Sequence, residues 1–362
     1  MSARLFLDAN AGEALRPAAR EAILAALAFN GNPSSVHAEG RAARRVLEVG
    51  RAAIARLCGV APAGVVFTSG ATEANLLALE RLGRAAGRRL LVSAAEHDSL
   101  AAPDGAMLPV GSDGQLDLDA LAAALCAGPA LVALHLAQNE TGVIQDFPAI
   151  AAVVHAHGGL LHADAAQAPG RLGFALAALG ADSMTLSAHK AGGPKGVGAL
   201  VLRPGLDLSP APHGGGQEGR RRPGTEALAL VAGFAAALEE AAAEDPAPRL
   251  AIRDAIAAGL AGRCVLVAPG APRLANTLSL ALPGAAAETQ VIALDLAGIA
   301  VSAGSACSSG KVTRSRALAA MGFAHTDSAI RVSVPWDAPS DAAGRFVAAW
   351  LAMAERFSRR AA

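Results

Sequence analysis

Residues 187–200 read SAHKAGGPKGVGAL, a short run that ends on serine, histidine and lysine before a glycine-rich turn. A lysine amine held at such a turn can act as a nucleophile toward a carbonyl group. GGPKGVG does not match the GxxxxGKS/T phosphate loop, and alone it would pass for an ordinary turn. Two other stretches change its weight. HADAAQ (162–167) closes an apolar run on Asp164, and FTSGATEAN (67–75) passes from a strand through Ser-Gly-Ala-Thr into a helix. Glycine and threonine at a helix start offer free N–H groups and a hydroxyl to an anion, most naturally a phosphate. Open α/β sheets gather ligands outside the carboxyl ends of their strands, which is where all three stretches fall. A lysine for a Schiff base, a carboxylate to keep a pyridine nitrogen protonated and a nest for a phosphate are together what pyridoxal phosphate requires. A second reactive group stands apart from these. Cys307, in AGSACSSG (303–310), has nothing large beside it to pack against. Only its thiolate would be a nucleophile, and a thiol with a pKa of ~8.5 is only a few per cent ionised at pH 7.

The elements that must position these groups alternate along the chain. GVVFTSG (64–70), RRLLVSA (88–94), ALVALHLA (130–137), GLLHAD (159–164), SMTLSAH (183–189) and GALVLR (198–203) read as buried strands. Alanine-rich amphipathic stretches such as 72–83 and 117–128 lie between them. This alternation predicts an α/β fold, a mostly parallel central sheet with helices on both faces. A helix is expected over 225–244, and the breaker cluster DPAP (245–248) marks a boundary. Beyond it come a helix, CVLVA (264–268), NTLSLALP (276–283), a helix over 286–297, AIRVSVP (329–335) and a final helix, the pattern of a smaller α+β unit. The expected division is a large cofactor-binding domain over 13–245 and a small domain over 246–362. Residues 1–12 pack on the small domain, which carries the cysteine loop.

Bulk properties narrow the remaining classes. The 362 residues are 53% hydrophobic, enough for a large core. Lys and Arg number 31 and so do Asp and Glu, so no global basic field invites nucleic acid or anionic lipid. No secretory signal and no membrane span is expected. Cys58, Cys126, Cys264 and Cys307 are far apart and form no CxxC pair, so neither a metal site nor a disulfide framework is expected, and the cytoplasm is the natural compartment. The first three of these cysteines read as small core residues.

Nine stretches in order carry a wider likeness: NPSSVHAEGRAAR (32–44), FTSGATEAN (67–75), AEHDSL (95–100), QNETGVIQD (138–146), HADAAQAPG (162–170), SAHKAGGPKGVGAL (187–200), GGGQEGRRRPGT (214–225), AGSACSSG (303–310) and AIRVS (329–333). From about residue 5 to about 335 the sequence resembles a cysteine desulfurase of the NifS/IscS type, within the class V aminotransferase family of fold-type I pyridoxal phosphate enzymes. The resemblance implies that Lys190 carries the cofactor, that Asp164 pairs with its pyridine nitrogen and that Gln167 sits near its ring hydroxyl. His97 would stack on the ring and shuttle protons. Thr72, Ser187 and His189 would hold the phosphate, completed by Thr225 of the neighbouring subunit, so that a homodimer shares each site. Arg331 would take the substrate α-carboxylate, which a planar guanidinium matches with two parallel hydrogen bonds. Asn139 would lie beside it, near the ring hydroxyl.

The implied reaction converts L-cysteine to L-alanine and leaves the sulfur on Cys307 as a persulfide. That sulfur would serve iron–sulfur cluster assembly or another sulfur-transfer pathway, through an acceptor or scaffold protein. Residues 308–315, SSGKVTRS, are small, polar and free of proline, and suit a mobile carrier loop of the long-loop kind. The rivals are a selenocysteine lyase, an aminotransferase of the same family, and a low-activity paralogue that acts as a sulfur-transfer partner. Cys307 argues against the aminotransferase. Lys190, Asp164, His97 and Cys307, all present, argue against a non-catalytic role. Three stretches depart from the family text: DANAGEALRP (8–17) in place of an Ala-Thr-Thr-Pro opening, Ala-Gly-Gly after His189-Lys190, and Val334-Pro335-Trp336 after Arg331-Val332-Ser333.

Overall fold

A computed structural model describes residues 4–102, 104–304 and 315–361. Cys307 and most of the expected carrier loop lie outside the described residues. In chain order the elements are β1 (Leu5–Phe6), α1 (Pro17–Ala26), α2 (Ala38–Cys58), β2 (Val65–Thr68), α3 (Ala71–Leu77), β3 (Arg89–Ser93), β4 (Ala106–Leu108), α4 (Leu118–Leu125), β5 (Ala130–His135), α5 (Phe147–Ala156), β6 (Leu160–Asp164), α6 (Leu176–Leu179), β7 (Ser183–Ser187) and β8 (Gly198–Leu202). There follow α7 (Leu228–Ala242), α8 (Ala247–Gly259), β9 (Val265–Leu266), β10 (Thr277–Ala281), α9 (Ala287–Leu296), β11 (Ile299–Ala300), β12 (Ser302–Ala303), α10 (Arg316–Ala320), β13 (Ala329–Ser333) and α11 (Ala342–Ala361).

Seven strands form one sheet in the order β2-β8-β7-β6-β5-β3-β4, in which β8 alone runs antiparallel to its neighbours. This is the expected mostly parallel α/β sheet. Its central strands β5, β6, β7 and β8 are buried at every position, as near-continuous apolar runs covered on both faces should be. One face packs on a cluster that includes Leu47, Ile54, Phe147, Val231 and Phe234, and the other on one that includes Ala74, Leu79 and Leu82.

The register aligns the strand ends. His135 pairs with Asp164, Asp164 with Thr185, and Gly198 with both Ser187 and Thr68. The carboxyl ends of β2, β5, β6 and β7 therefore open on one edge. Gly198 is required there by a close approach. A Cβ at this position would stand 2.6 Å from Leu186 O and 2.8 Å from the Gly70 backbone.

The helices start and stop for local reasons. Asp117 and Asp146 cap α4 and α5 by accepting from the N–H groups of Ala120 and Ala149, and Gly59 closes α2 in the left-handed region at φ 70°. A second sheet, β12-β13-β10-β9, is antiparallel throughout. It shares a cluster with Ile256, Leu294, Phe346 and Trp350 from α8, α9 and α11, and both large rings are fully buried. β1 pairs in parallel with β11, so the first residues join the C-terminal part of the chain. No helix among the described residues is long and apolar enough to cross a membrane.

Local detail differs from expectation in four places. The helix expected from residue 225 begins at Leu228, because Gly224 sits at φ 109° and no side chain caps the turn, which leaves Thr225 outside it. The 72–83 stretch is not one helix. α3 ends at Leu77 and a wider π turn runs over Ala78–Gly83, where Gly83 packs against Leu90. CVLVA shortens to Val265–Leu266. Cys126, expected in the core, is exposed at the end of α4, whereas Cys58 is fully buried and burial pushes its thiol up to about 12.

Candidate active site

The aligned strand ends enclose a cleft of about 330 Å³. Thr72, His97, Asn139, Asp164, Gln167, Ser187, His189 and Lys190 all line it. They come from the start of α3, the turns after β3, β5 and β6, and the end of β7 with the tight turn that follows. Up to 118 residues separate them in sequence, and only the parallel order of the sheet brings them together.

Asp164 ends β6, and each of its carboxylate oxygens accepts a hydrogen bond. Oδ1 takes the Ala166 N–H at 2.9 Å and Oδ2 takes Asn75 Nδ2 at 2.7 Å. Lys190 lies in the turn after β7, and its Nζ donates to the carbonyl of Asn10. Gln167 Nε2 donates to the same carbonyl at 3.0 Å, and Gln167 Oε1 accepts from Arg171. His189 lies beside Lys190 in the same turn and lines the cleft. Burial, reinforced by the nearby cations Lys190, Lys195 and Arg171, pushes its pKa down to about 4, so the ring is neutral at pH 7.

The residues fit pyridoxal phosphate on two observations besides their chemical types. His189 Nε2 is buried in the cleft without a hydrogen-bond partner among the described residues, which a phosphate oxygen would satisfy. Gly70, just before α3, has φ 157°, and a Cβ there would point into open space on the cleft wall. Thr72, Ser187 and His189 supply polar groups for the phosphate, Lys190 an amine and Asp164 a carboxylate.

Two of the expected residues, Thr225 and Arg331, do not line this cleft. Cys307 lies outside the described residues. Thr225 is exposed and away from the lining. Arg331, on β13, is not a solvent-facing strand residue, since it is 2% exposed. Its Nη2 lies 2.7 Å from Asp8 Oδ1, and its Nη1 donates to the carbonyl of the cleft residue Asn139 at 3.1 Å. Its Nε is buried without a partner among the described residues.

Several residues that support the site carried no sequence signal of their own. Asn10 is fully buried. Its Nδ2 donates to Asn139 O and Thr277 Oγ1, its backbone N–H goes to Ser333 Oγ, and its carbonyl takes Lys190 and Gln167. One residue thus ties the main sheet to the second one. Glu13 and Trp336, each in a stretch that departs from the family text, touch one another. Glu13 accepts from the Trp336 N–H at 3.3 Å and pairs with Arg171 at 3.0 Å, while Trp336 Nε1 donates to Ala14 O and the Arg16 guanidinium lies 5.0 Å from the tryptophan ring centroid. Asn75 lies beneath Asp164, and Ser99 lines the cleft beside His97, with its Oγ 2.9 Å from His97 Nδ1. The first departure in sequence therefore faces the third in space, a pairing that a linear reading cannot see.

A family model described as aminotransferase class-V matches residues 5–341. A cysteine desulfurase of Cereibacter sphaeroides is 39% identical over 351 residues, 91% of this chain and 90% of that protein. The cysteine desulfurase IscS of Methylococcus capsulatus is 36% identical over 342 residues, 89% of this chain and 85% of that protein. Among solved structures, a NifS-like protein of Rickettsia africae matches with a TM-score of 0.89 at 29% identity, over 97% of this chain and 99% of the other.

Proposed function

This chain belongs to the class-V aminotransferase family, and from that premise we propose that it is a pyridoxal phosphate-dependent cysteine desulfurase of the NifS/IscS type. It converts L-cysteine to L-alanine and collects the sulfur on Cys307 as a persulfide. The observation that carries this reading is the convergence of Lys190, Asp164, His97, Gln167 and the polar trio Thr72, Ser187 and His189 on one cleft, in a chain 39% identical to a cysteine desulfurase.

Pyridoxal phosphate, when bound, supplies the electron sink that stabilises negative charge at the substrate α-carbon. Lys190 would hold the cofactor through Nζ, and the same amine, when free, would take the substrate α-proton. Asp164 accepts the pyridine N–H, with its oxygens already oriented by Ala166 and Asn75. Gln167 is fixed by Asn10 and Arg171 on the ring-hydroxyl side. Neutral His189 donates to the phosphate beside Ser187 and Thr72, and Thr225 of a second copy completes that cradle in a homodimer. Arg331 and Asn139 take the substrate carboxylate. Nε of Arg331 is one donor with no partner among the described residues.

Cys307 Sγ, as thiolate, bonds to the substrate sulfur as the carbon–sulfur bond breaks. The electron pair of that bond stays with the β-carbon, which takes a proton, and return of the proton from Lys190 to the α-carbon completes alanine. The products are alanine and Cys307–S–SH, and no outside oxidant or reductant is used. The persulfide then passes to an acceptor or iron–sulfur scaffold protein in the cytoplasm. Residues 13–245 hold the cofactor and 246–362, with 1–12, carry the cysteine.

Two measurements test the reading. The purified protein should absorb in the visible Schiff-base band, and Lys190→Ala should lose that band. After incubation with cysteine, the Cys307 peptide should gain one sulfur in mass. Sulfide release that persists in Cys307→Ser would refute the transfer step.

A further inference from the structure

Asn75 lies on α3, faces away from solvent and is fully buried. It sits where four polar groups meet. Its Nδ2 is 2.7 Å from Asp164 Oδ2 and 2.8 Å from Ser99 Oγ, and its Oδ1 is 3.0 Å from His162 Nε2. These contacts set the direction of the bonds, with Thr185 Oγ1 a longer second neighbour of the same His162 Nε2 at 3.3 Å. An ionised carboxylate only accepts, so the Asn75 atom facing Asp164 is the nitrogen. Its two hydrogens are then used on Asp164 and Ser99, and its oxygen must accept from His162, whose proton therefore sits on Nε2.

His162 is fully buried, and burial holds its pKa down to about 4 against the pull of Asp164, so the ring is neutral. Its Nδ1 accordingly accepts from Ser183 Oγ at 2.8 Å. On the other arm, Ser99 Oγ accepts from Asn75 and is left to donate to His97 Nδ1 at 2.9 Å. The same Nδ1 accepts the Ser99 backbone N–H at 3.1 Å. A nitrogen that accepts a backbone N–H carries a lone pair, so the His97 ring proton is on Nε2. The bonds run one way, from His162 through Asn75 to Asp164, and from Asn75 through Ser99 to His97.

We infer that Asn75 is a positioning residue of the cofactor site, one amide that orients the Asp164 carboxylate and, through Ser99, sets His97 with its proton on Nε2. The inference rests on the proposed function for the roles of Asp164 and His97. It adds that the group facing the pyridine nitrogen and the imidazole over the ring are held by a single buried side chain. In its neutral state His97 then presents an N–H rather than a lone pair at Nε2, and Nδ1 is closed to protons by Ser99. Asn75 does not reach the cofactor itself. Its effect passes through the two residues that do.

The test uses the holoenzyme labelled with 15N-histidine, with the His97 signals assigned by their loss in His97→Gln. The expected spectrum has an unprotonated Nδ1 and a protonated Nε2 for His97. A protonated Nδ1 in the resting enzyme would overturn the bond order. Asn75→Leu should weaken pyridoxal phosphate retention by roughly ten- to a hundredfold, the loss expected when a buried charged group gives up a hydrogen bond. Ser99→Ala cuts only the His97 arm. It should hold the cofactor within about threefold of wild type while the His97 signals move. Should Asn75→Leu fail to fold, the wild-type tautomer and the Ser99→Ala split still decide the matter.

A merely structural asparagine would lower the unfolding midpoint of Asn75→Leu and leave retention in the folded fraction at the wild-type value. That result would also overturn the inference. The histidine spectrum is recorded again after cofactor removal. A chain that never takes up pyridoxal phosphate would refute the functional reading, while the tautomer would still judge the proton order.

Discussion

Glu13→Ala should be among the most damaging single changes in the chain outside the catalytic groups. Glu13 lies in the N-terminal stretch that departs from the family text, and its side chain is 2% exposed. It faces Arg171 at 3.0 Å, whose side chain is 0% exposed, and Arg249 at 3.7 Å, whose side chain is 3% exposed. Burial and the proximity of other guanidinium groups already push Arg171 below the usual arginine range, and Glu13 is the main opposing charge. Removing the carboxylate leaves Arg171 with only neutral acceptors, the carbonyls of Ala9 and Gln167 and the Gln167 side chain. Breaking one side of a buried ion pair costs about 3–5 kcal/mol, most of it from the stranded charge. The assay is urea unfolding of the cofactor-loaded protein, followed by two probes, with pyridoxal phosphate retention measured in parallel because Arg171 anchors Gln167. Glu13→Ala with Arg171→Met supplies the control. If the stranded charge is the cause, the double variant recovers most of the loss. A shift below about 1 kcal/mol in Glu13→Ala, or a double variant worse than the sum of the singles, would refute this reasoning.

Three more outcomes follow from the same structure. His162 has a folded pKa of about 4 against an ordinary 6.5, so the unfolded chain binds the proton first as pH falls. Its contribution is complete above pH 6.5 and is lost toward pH 4, about 2 kcal/mol of it by pH 5. The wild-type unfolding midpoint should drop more between pH 7.5 and pH 5 than that of His162→Asn, and equal drops would contradict the assignment. Gly198→Ala would push a methyl to 2.6 Å from Leu186 O and 2.8 Å from the Gly70 backbone. It should cost about 1–3 kcal/mol in denaturant unfolding and weaken cofactor retention, because Gly70 has to move. Arg51 makes a bidentate pair with Glu218, both at 2.7 Å, with side chains 9% and 1% exposed. Arg51→Ala should cost about 3–5 kcal/mol, while Arg4→Ala, which removes a pair with Asp295 more than half exposed, should cost less than about 1 kcal/mol.

The reactive groups were legible in the sequence because each sits at a local transition that leaves a mark. Asp164 closes an apolar run, Lys190 precedes a glycine turn and Thr72 opens a helix after Ser-Gly-Ala. The apolar runs likewise announced a mostly parallel sheet, since strands covered on both faces lose the alternation of polar and apolar residues. Helix limits were less legible. The start of α7 follows the positive φ of Gly224, and the helix widens into a π turn after Leu77, neither of which is marked in composition.

The residues beneath the site could not be read at all. Asn75 touches groups 24, 87 and 89 positions away, and Asn10 reaches across 129 to 323 positions. A buried amide earns its place by the partners that satisfy it, and those partners are chosen by strand order. The same holds for Glu13 and Trp336, two departures from the family text that make sense only because the N-terminal segment crosses to lie against the end of β13. By itself the sequence determined which chemical groups this protein carries and the kind of sheet that presents them. Only the tertiary structure decided which uncharged side chains aim them, because hydrogen-bond direction depends on three-dimensional neighbours and leaves no period along the chain.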